Sequence, residues 1–269
     1  MDRISDKELY DRAQIFKQNQ DYNNYIIYIT KAANNGYRDA IDNIYKCDTY
    51  KKQDYSVTIK FYEATVEYSY SAHFLGYMYY NGLYVKQNIS KSLELFELAN
   101  KKGNGHSARN LALLYEQGQF EIKNNCKALE LYEFSINKGV YESLMNLANM
   151  YKHGYGTKQN YVKAKELYEL AIDKGYIDAL NQLGFMYEFG HGVIINYDHA
   201  IELYEKAIEG GDLSMVIRLD NLYKKNFPLN CNKIIKLHTV SFIKGNTYSI
   251  NSLSQLLRTG TCETEKMLM

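Results

Sequence analysis

An all-α solenoid of paired helices is the fold this sequence predicts, and three observations predict it. Residue types recur at a fixed step of 36 positions over most of the 269-residue chain. Within each step, apolar and small residues fall at helical spacing, and glycines stand at the two points where a helix pair must turn.

The recurrence is seen in columns. Leu75, Leu111, Leu147, Leu183 and Leu219 are each 36 residues apart, as are Tyr79, Tyr115, Tyr151, Tyr187 and Tyr223. The same step relates Gly82, Gly118, Gly154 and Gly190, then Leu95, Leu131, Leu167 and Leu203, then Phe96, Tyr132, Tyr168 and Tyr204, and finally Gly103, Gly139, Gly175 and Gly211. Small residues keep it at Ser71, Ser107, Ser143 and Ala179, and again at Ser92, Ala128, Ala164 and Ala200.

Taken in chain order within one step, Ala179, Leu183 and Tyr187 lie at i, i+4 and i+8 and share one face of a first helix, which Gly190 ends in a left-handed turn. Ala200, Leu203, Tyr204 and Ala207 make the i, i+3, i+4, i+7 stripe of a second helix, ended by Gly211. Neither stripe can be buried by one helix alone, so the helices must pair and the pairs must stack. Gly76, Ala112, Ala148 and Gly184 follow the column leucine and admit a close partner helix, with the aromatic columns filling the space around the crossing.

This order of small residue, Leu-Gly, Tyr and Gly, then Ala, Leu-Tyr, Ala and Gly resembles the Sel-1-like repeat family, relatives of the tetratricopeptide repeats. The clearest copies are 71–106, 107–142, 143–178 and 179–214. Before them "KAANNGYRDAIDNI" (31–44) matches "LAIDKGYIDALNQL" (170–183), and after them "FIKGNTYSINSLSQLLRTG" (242–260) matches "AIDKGYIDALNQLGFMYEFG". The resemblance implies a right-handed α-α superhelix: one solenoid domain over 1–269, with degenerate units at 1–70 and 215–260 and a frayed tail at 261–269. In the fifth copy Asp220 stands where Gly or Ala is expected, Asn226 replaces the loop glycine and Pro228 follows, which predicts an altered loop and a looser helix pair. The half unit 248–260 is the expected cap on the last exposed face.

Composition excludes several function classes. Lys plus Arg (32) balances Asp plus Glu (31), so there is no bulk basic field for nucleic acid or an anionic membrane surface. The charged start "MDRISDKELYDRAQ" is no secretory signal, and no stretch reaches the ~20 apolar residues of a spanning helix. Cys47, Cys126, Cys231 and Cys262 lie far apart without a CxxC pair, as free thiols in a reducing compartment would. The expected location is the cytoplasm. The Tyr-, Asn-, Ile- and Lys-rich vocabulary suggests an AT-rich genome, a giant virus of amoebae being one such source, in which case the address is the host cytoplasm.

Chemistry-bearing residues are better explained by the repeat than by a reaction. Carboxylates at i and i+3, such as Glu130 and Glu133, Glu166 and Glu169, or Glu202 and Glu205, could hold a metal or act as an acid/base pair, but they recur in unit after unit beside lysines, as a solvated helix face does. "HGYGTK" (153–158) lacks the GxxxxGK pattern of a phosphate loop and joins two helices. His153 and His191 stand in neighbouring loops and can approach each other, yet two histidines without further ligands make a poor zinc site. No catalytic residue, cofactor or metal is therefore expected.

In related helical solenoids the first helix of each unit lines the concave face. Positions flanking the Leu-Gly pair project there: His73, Tyr77 and Tyr80; Arg109, Leu113 and Glu116; Met145, Asn149 and Lys152; Asn181, Phe185 and Glu188. They change from unit to unit while the packing columns do not, as a recognition surface on a constant frame requires. Aromatics and Met with charges of mixed sign favour a peptide or protein partner over nucleic acid. The expected function is a non-catalytic adaptor, and the resemblance implies scaffolds in signalling, membrane-protein quality control or encounters between microbes and host cells. The alternatives are a hydrolase-type enzyme hidden in the irregular stretches 41–70 or 220–245, and a self-assembling structural array.

Overall fold

The structure, a computed structural model, describes residues 4–46, 59, 62–63, 66–118, 123–226 and 231–259. Among the described residues there are helices and turns and no strand, and the fold is an all-α helical repeat solenoid. It comprises two compact units, Met1–Ser143 and Leu144–Met269.

The first unit holds α1 (Asp6–Gln18), α2 (Tyr22–Asn34), α3 (Arg38–Lys46), α4 (Ser69–Asn81), α5 (Ile89–Lys101), α6 (Gly105–Gln117), α7 (Asn125–Asn137) and a 3-10 turn at Tyr141–Ser143. Helices α1 and α2, α4 and α5, and α6 and α7 form hairpins, while α2 packs on α3 and α4, and α5 on α6. The second unit holds α8 (Leu144–His153), α9 (Tyr161–Asp173), α10 (Asp178–Phe189), α11 (Tyr197–Glu209), α12 (Val216–Asn226), α13 (Cys231–Ile243) and α14 (Tyr248–Thr259), each packed on the next.

The columns form the core. Leu75, Leu111, Leu147, Leu183 and Leu219 are buried, as are Phe96, Tyr132, Tyr168 and Tyr204 and all eight of the small column residues. The crossing of first and second helix is tight at the glycines. A Cβ added to Gly184 would lie 2.6 Å from Cε1 of Tyr204, and one added to Gly76 would lie 2.9 Å from the Phe96 ring. The aromatic ring thus sits directly on the glycine backbone, which is the physical reason for a small residue in that column.

A further column fixes where each second helix begins. Asn88, Asn124, Asn160 and Asn196 cap α5, α7, α9 and α11, each accepting a hydrogen bond through Oδ1 from the amide three residues on at 3.0 Å. The backbone N–H of each also donates to the carbonyl of the column tyrosine, Tyr79, Tyr115, Tyr151 or Tyr187, at 2.8–3.0 Å. One residue therefore satisfies a helix N-terminus and ties the loop to the preceding helix. This column also keeps the step of 36, so its period is as visible in the sequence as that of the leucines.

The fifth copy departs from the others in its core. Helix α13 begins two residues earlier than the step of 36 would put it, so His238, rather than Val240, takes the place that Tyr204 has in the fourth copy. Asp220 and His238 are both fully buried, with His238 Nε2 3.4 Å from Asp220 Oδ1, while Lys224 Nζ reaches Asp220 Oδ2 at 2.8 Å. The ring-on-glycine crossing is replaced by a carboxylate facing an imidazole. The loop expected to be altered (227–230), residues 47–58, Gly260 and the tail 261–269 lie outside the described residues.

Candidate partner-binding surface

The first helices α4, α6, α8 and α10 carry the twelve candidate positions, and they differ in exposure. Tyr77 is 46% exposed. Tyr80, Arg109, Leu113, Glu116, Met145, Asn149, Lys152, Phe185 and Glu188 are partly buried. His73 and Asn181 are each only 4% exposed and lie inside the repeat packing rather than on a surface. His73 Nδ1 is 2.8 Å from Ser107 Oγ, its ring is set against Phe74 and Phe96, and burial, with repulsion from His106 second, lowers its pKa to about 3. Asn181 donates through Nδ2 to Asp212 and, at 3.3 Å, to Ser214 Oγ. Spacing alone placed them on the concave, partner-binding face; contacts with the next repeat bury them instead.

Several partly buried candidates are engaged with the tyrosines of the second helices. Tyr132 donates to Glu116 at 2.6 Å and Tyr204 to Glu188 at 2.9 Å. In the third copy the equivalent of Glu116 and Glu188 is Lys152, and Tyr168 donates to Asn149 instead, at 2.6 Å. Burial raises the pKa of both Tyr168 and Tyr204, so they act as neutral donors. The variable positions thus also anchor the core hydroxyl of their own repeat.

Successive repeats of the second unit are bridged along the same face. Lys152 Nζ donates to Gln182 Oε1 at 3.0 Å, and burial lowers the pKa of that lysine. Arg218 makes a two-point pair with Glu188, Nε at 2.7 Å and one terminal nitrogen at 2.8 Å, which raises the arginine pKa. Its guanidinium carbon lies 4.2 Å from the Phe185 ring centroid and 4.9 Å from that of Phe189, and the two rings stack 6.0 Å apart. A carboxylate fork and two aromatic faces therefore hold one arginine in one place.

That arginine borders a cavity of about 400 Å³, walled also by Glu188, Phe189, Ile195, Tyr197 and Leu222. Phe189 is 49%, Ile195 51% and Tyr197 37% exposed, and the adjoining Ile194 is 88% exposed. Of these cavity residues only Glu188 belongs to the twelve positions read from spacing. The others are the last residue of α10 (Phe189), Ile195 in the α10–α11 loop, the first residue of α11 (Tyr197) and residues of α12, and the signal that could have found the loop part is the run "GVIINY" in a loop that elsewhere reads polar.

A separate polar thread crosses repeats through the column tyrosines. Lys91 donates to Tyr79 at 2.7 Å and Lys127 to Tyr115 at 2.6 Å, and these hydroxyls donate to Glu63 and Glu97 at 3.3 and 3.1 Å. The tyrosine hydrogen bond is the largest cause of the raised lysine pKa values. Tyr223 donates to Glu205 in the same way. The recurring glutamates at 97 and 205 are therefore partners of the next repeat's tyrosine and more than a solvated face. Lys165 and Glu169 form an i, i+4 pair at 2.9 Å.

Chemical alternatives find little geometry. His191 stacks on Tyr161 at 4.9 Å and His153 on Tyr155 at 5.4 Å, and among the described residues no three metal-ligating side chains cluster. In 220–245, where an enzyme was the alternative, Asp220 and His238 are followed by Ser249, whose Oγ lies 3.4 Å from His238 Nδ1. All three are fully buried, so no substrate can reach the serine. Cys126 carries a free, exposed thiol. Among the described residues no helix is long and apolar enough to cross a membrane.

The family model of the Sel1 repeat matches residues 69–104, 105–140, 142–176 and 177–212. Among solved structures, a Sel1 repeat protein from Oxalobacter formigenes is 25% identical, with a TM-score of 0.64 over 78% of this chain and 86% of that one. A protective antigen of uropathogenic Escherichia coli displaying an SLR fold is 22% identical, with a TM-score of 0.49, covering 95% of this chain and 65% of its own. An immunity protein from Pseudomonas aeruginosa is 17% identical, with a TM-score of 0.40 over 69% of this chain and 73% of that one. Among curated proteins no relative matches the sequence. Sel1 repeat proteins are generally protein-interaction scaffolds and are typically non-enzymatic. With four consecutive repeats matched over more than half of its residues, each built as the helix pair described above, this chain belongs to the Sel1 repeat family.

Proposed function

We propose that the chain is a non-catalytic adaptor that binds a protein or peptide segment on the first-helix face of its repeats, with the principal contact at the Arg218 cavity of the second unit. The observation that carries this reading is the cavity itself. Apolar side chains that water would otherwise wet, Phe189, Ile195 and Tyr197, rim a depression at whose edge an arginine is already immobilised. Aromatic and arginine anchors around a concave site are the composition of interface hot spots, and an arginine held by Glu188 loses little further entropy when a partner arrives. The occupant is an extended segment that inserts one apolar side chain beside the Phe185–Arg218–Phe189 stack. Tyr77, Leu113 and Met145 are further contact positions on the same type of helix face, and the partner surface has no role for His73 or Asn181.

The test is selection of binding sequences from a random peptide library on the whole chain, followed by titration of the selected peptides against Phe189→Ala and Ile195→Ser. Peptides of this mode lose tenfold or more in affinity on both variants, while the melting temperature stays close to that of the parent. Selected peptides that bind both variants as well as the parent place the partner surface elsewhere.

A further inference from the structure

Arg218 is held along one edge and on one side, and its other side is open. Nε and one terminal nitrogen donate to Glu188 along the edge of the guanidinium plane, and the Tyr204 hydroxyl donates to the same carboxylate. The ring centroids of Phe185 and Phe189 lie 4.2 and 4.9 Å from the guanidinium carbon and 6.0 Å from each other. Those three distances make an acute angle at the carbon, so both rings stand to the same side of it. The arginine side chain keeps 32% of its surface exposed, where it borders the cavity of about 400 Å³.

The wall beside it is aromatic and already ordered. Phe189 is flanked by Phe185 at 6.0 Å and by His191 at 5.9 Å, and His191 stacks in turn on Tyr161 at 4.9 Å. A line of four rings thus runs from the first residue of α9 to the arginine, and it still leaves Phe189 half exposed. Among the described lining residues only Glu188 and Arg218 carry charge, and they are paired with each other. Net charge therefore gives this cavity little means of selecting a ligand.

We infer that the side chain this cavity receives from its partner is aromatic, with its ring stacked on the open side of the Arg218 guanidinium. The inference rests on the reading of the cavity as the partner site and names what enters it. A guanidinium attracts the negative face of an aromatic ring from above its plane, so the Glu188 bonds along its edge leave that contact available. An aliphatic side chain of equal volume finds the apolar walls, Ile195 and Leu222, and lacks the stacking contact. An acidic side chain finds the arginine already taken by a carboxylate, and a basic one meets the arginine's own charge.

The experiment is titration of the whole chain, read by saturation-transfer NMR, with blocked peptides Gly-Ser-X-Ser-Gly in which X is Trp, Phe, cyclohexylalanine, Glu or Lys. Cyclohexylalanine is close to Phe in size and has no π system, so the ratio of the two affinities reads the stacking contact alone. Phe binds about threefold tighter than cyclohexylalanine or better, the scale of a partly exposed cation–π contact, and Trp binds tighter still. The ratio falls to about one in Arg218→Met, which keeps an apolar stem and loses the guanidinium. If Arg218→Met does not fold, the ratio on the parent decides, together with loss of binding on Ile195→Ser. Equal affinity for Phe and cyclohexylalanine, both weakened by Ile195→Ser, overturns the aromatic inference and leaves the cavity as the partner site. A preference for Phe that survives both variants overturns the inference and the reading of the cavity together, as does the absence of saturation transfer to every peptide. Tightest binding of the Glu or Lys peptide overturns the inference alone if Ile195→Ser weakens it.

Discussion

Asp220 and His238 offer a quantitative test of how the repeat tolerates a break in its own pattern. Replacing Asp220 with Ala installs the residue found at 112 and 148 in the same column, so a rule based on the column alone expects no loss. The structure expects a substantial one. Both side chains are fully exposed to the packing and not to water, Asp220 is paired with Lys224 at 2.8 Å, and His238 Nε2 faces the carboxylate at 3.4 Å. Removing the carboxylate leaves His238 Nε2 facing a void in a dry site and releases the half-exposed Lys224, a loss of about 1–3 kcal/mol on the scale of an unmatched buried polar group. For a chain of this size each kcal/mol shifts the melting temperature by roughly 2–4 °C, so Asp220→Ala lowers it by roughly 2–12 °C. The double variant Asp220→Ala/His238→Tyr rebuilds the aromatic-on-small crossing of the earlier repeats, and replacing both polar partners by apolar groups of similar shape can be nearly neutral or stabilising. Thermal and denaturant unfolding of the two singles and the double, with hydrogen exchange read on α12 and α13, gives the full cycle. The argument fails if Asp220→Ala is as stable as the parent, or if the double variant is no more stable than the sum of the two singles predicts.

Three other expectations follow from the same geometry. His73 is held neutral, its pKa lowered to about 3 by burial first and His106 second, against an unfolded value near 6.5. A depressed pKa means that the stability it secures is present above about pH 6.5 and is lost as pH falls toward 3; the loss is about 1.4 kcal/mol per pH unit below 6.5, so His73→Gln should flatten the fall in melting temperature between pH 6.5 and 5, and parallel curves for the two proteins would count against it. Asn160→Ala removes the side-chain cap on Lys163 N and keeps the backbone tie to the Tyr151 carbonyl; a loss of about 0.5–2 kcal/mol in denaturant unfolding is expected, and Asn160→Asp should restore most of it. Tyr77→Ala and Phe185→Ala should weaken a bound peptide by about 2 kcal/mol where either is an anchor, with little change in melting, whereas Tyr187→Ala, which removes an edge-on contact with His199 at 4.4 Å, should lower melting first; equal effects of all three on melting would dissolve the distinction between face and frame.

The repeat, its helix pairs and its core were legible in the residues because a solenoid writes the same local contact many times over. Leucine, tyrosine and glycine columns report contacts within one helix hairpin or with its neighbour, at short sequence separation, and periodicity alone is enough to place them. The asparagine caps belong to this class as well, since Asn88, Asn124, Asn160 and Asn196 keep the same step and do a local task. The candidate face was legible only in part. Spacing says which way a side chain leaves its own helix, and Tyr77 stands in solvent; it does not say how far the next repeat leans over a position, and so His73 and Asn181 lie inside.

What tertiary structure alone decided lies where contacts are not repeated. The two-residue shift of α13 brings His238 rather than Val240 onto Asp220, and no fixed step can reveal a shift that occurs once. The clamp of Arg218 by Glu188, Phe185 and Phe189 joins α12 to α10, with Arg218 and Glu188 30 residues apart in the chain. The sequence by itself determined the frame, because each frame contact is local and is selected again in every repeat. The sites were decided by the stacking of unlike surface residues across repeats, a geometry set by the summed rise and rotation of the helices and written in no single stretch of the chain.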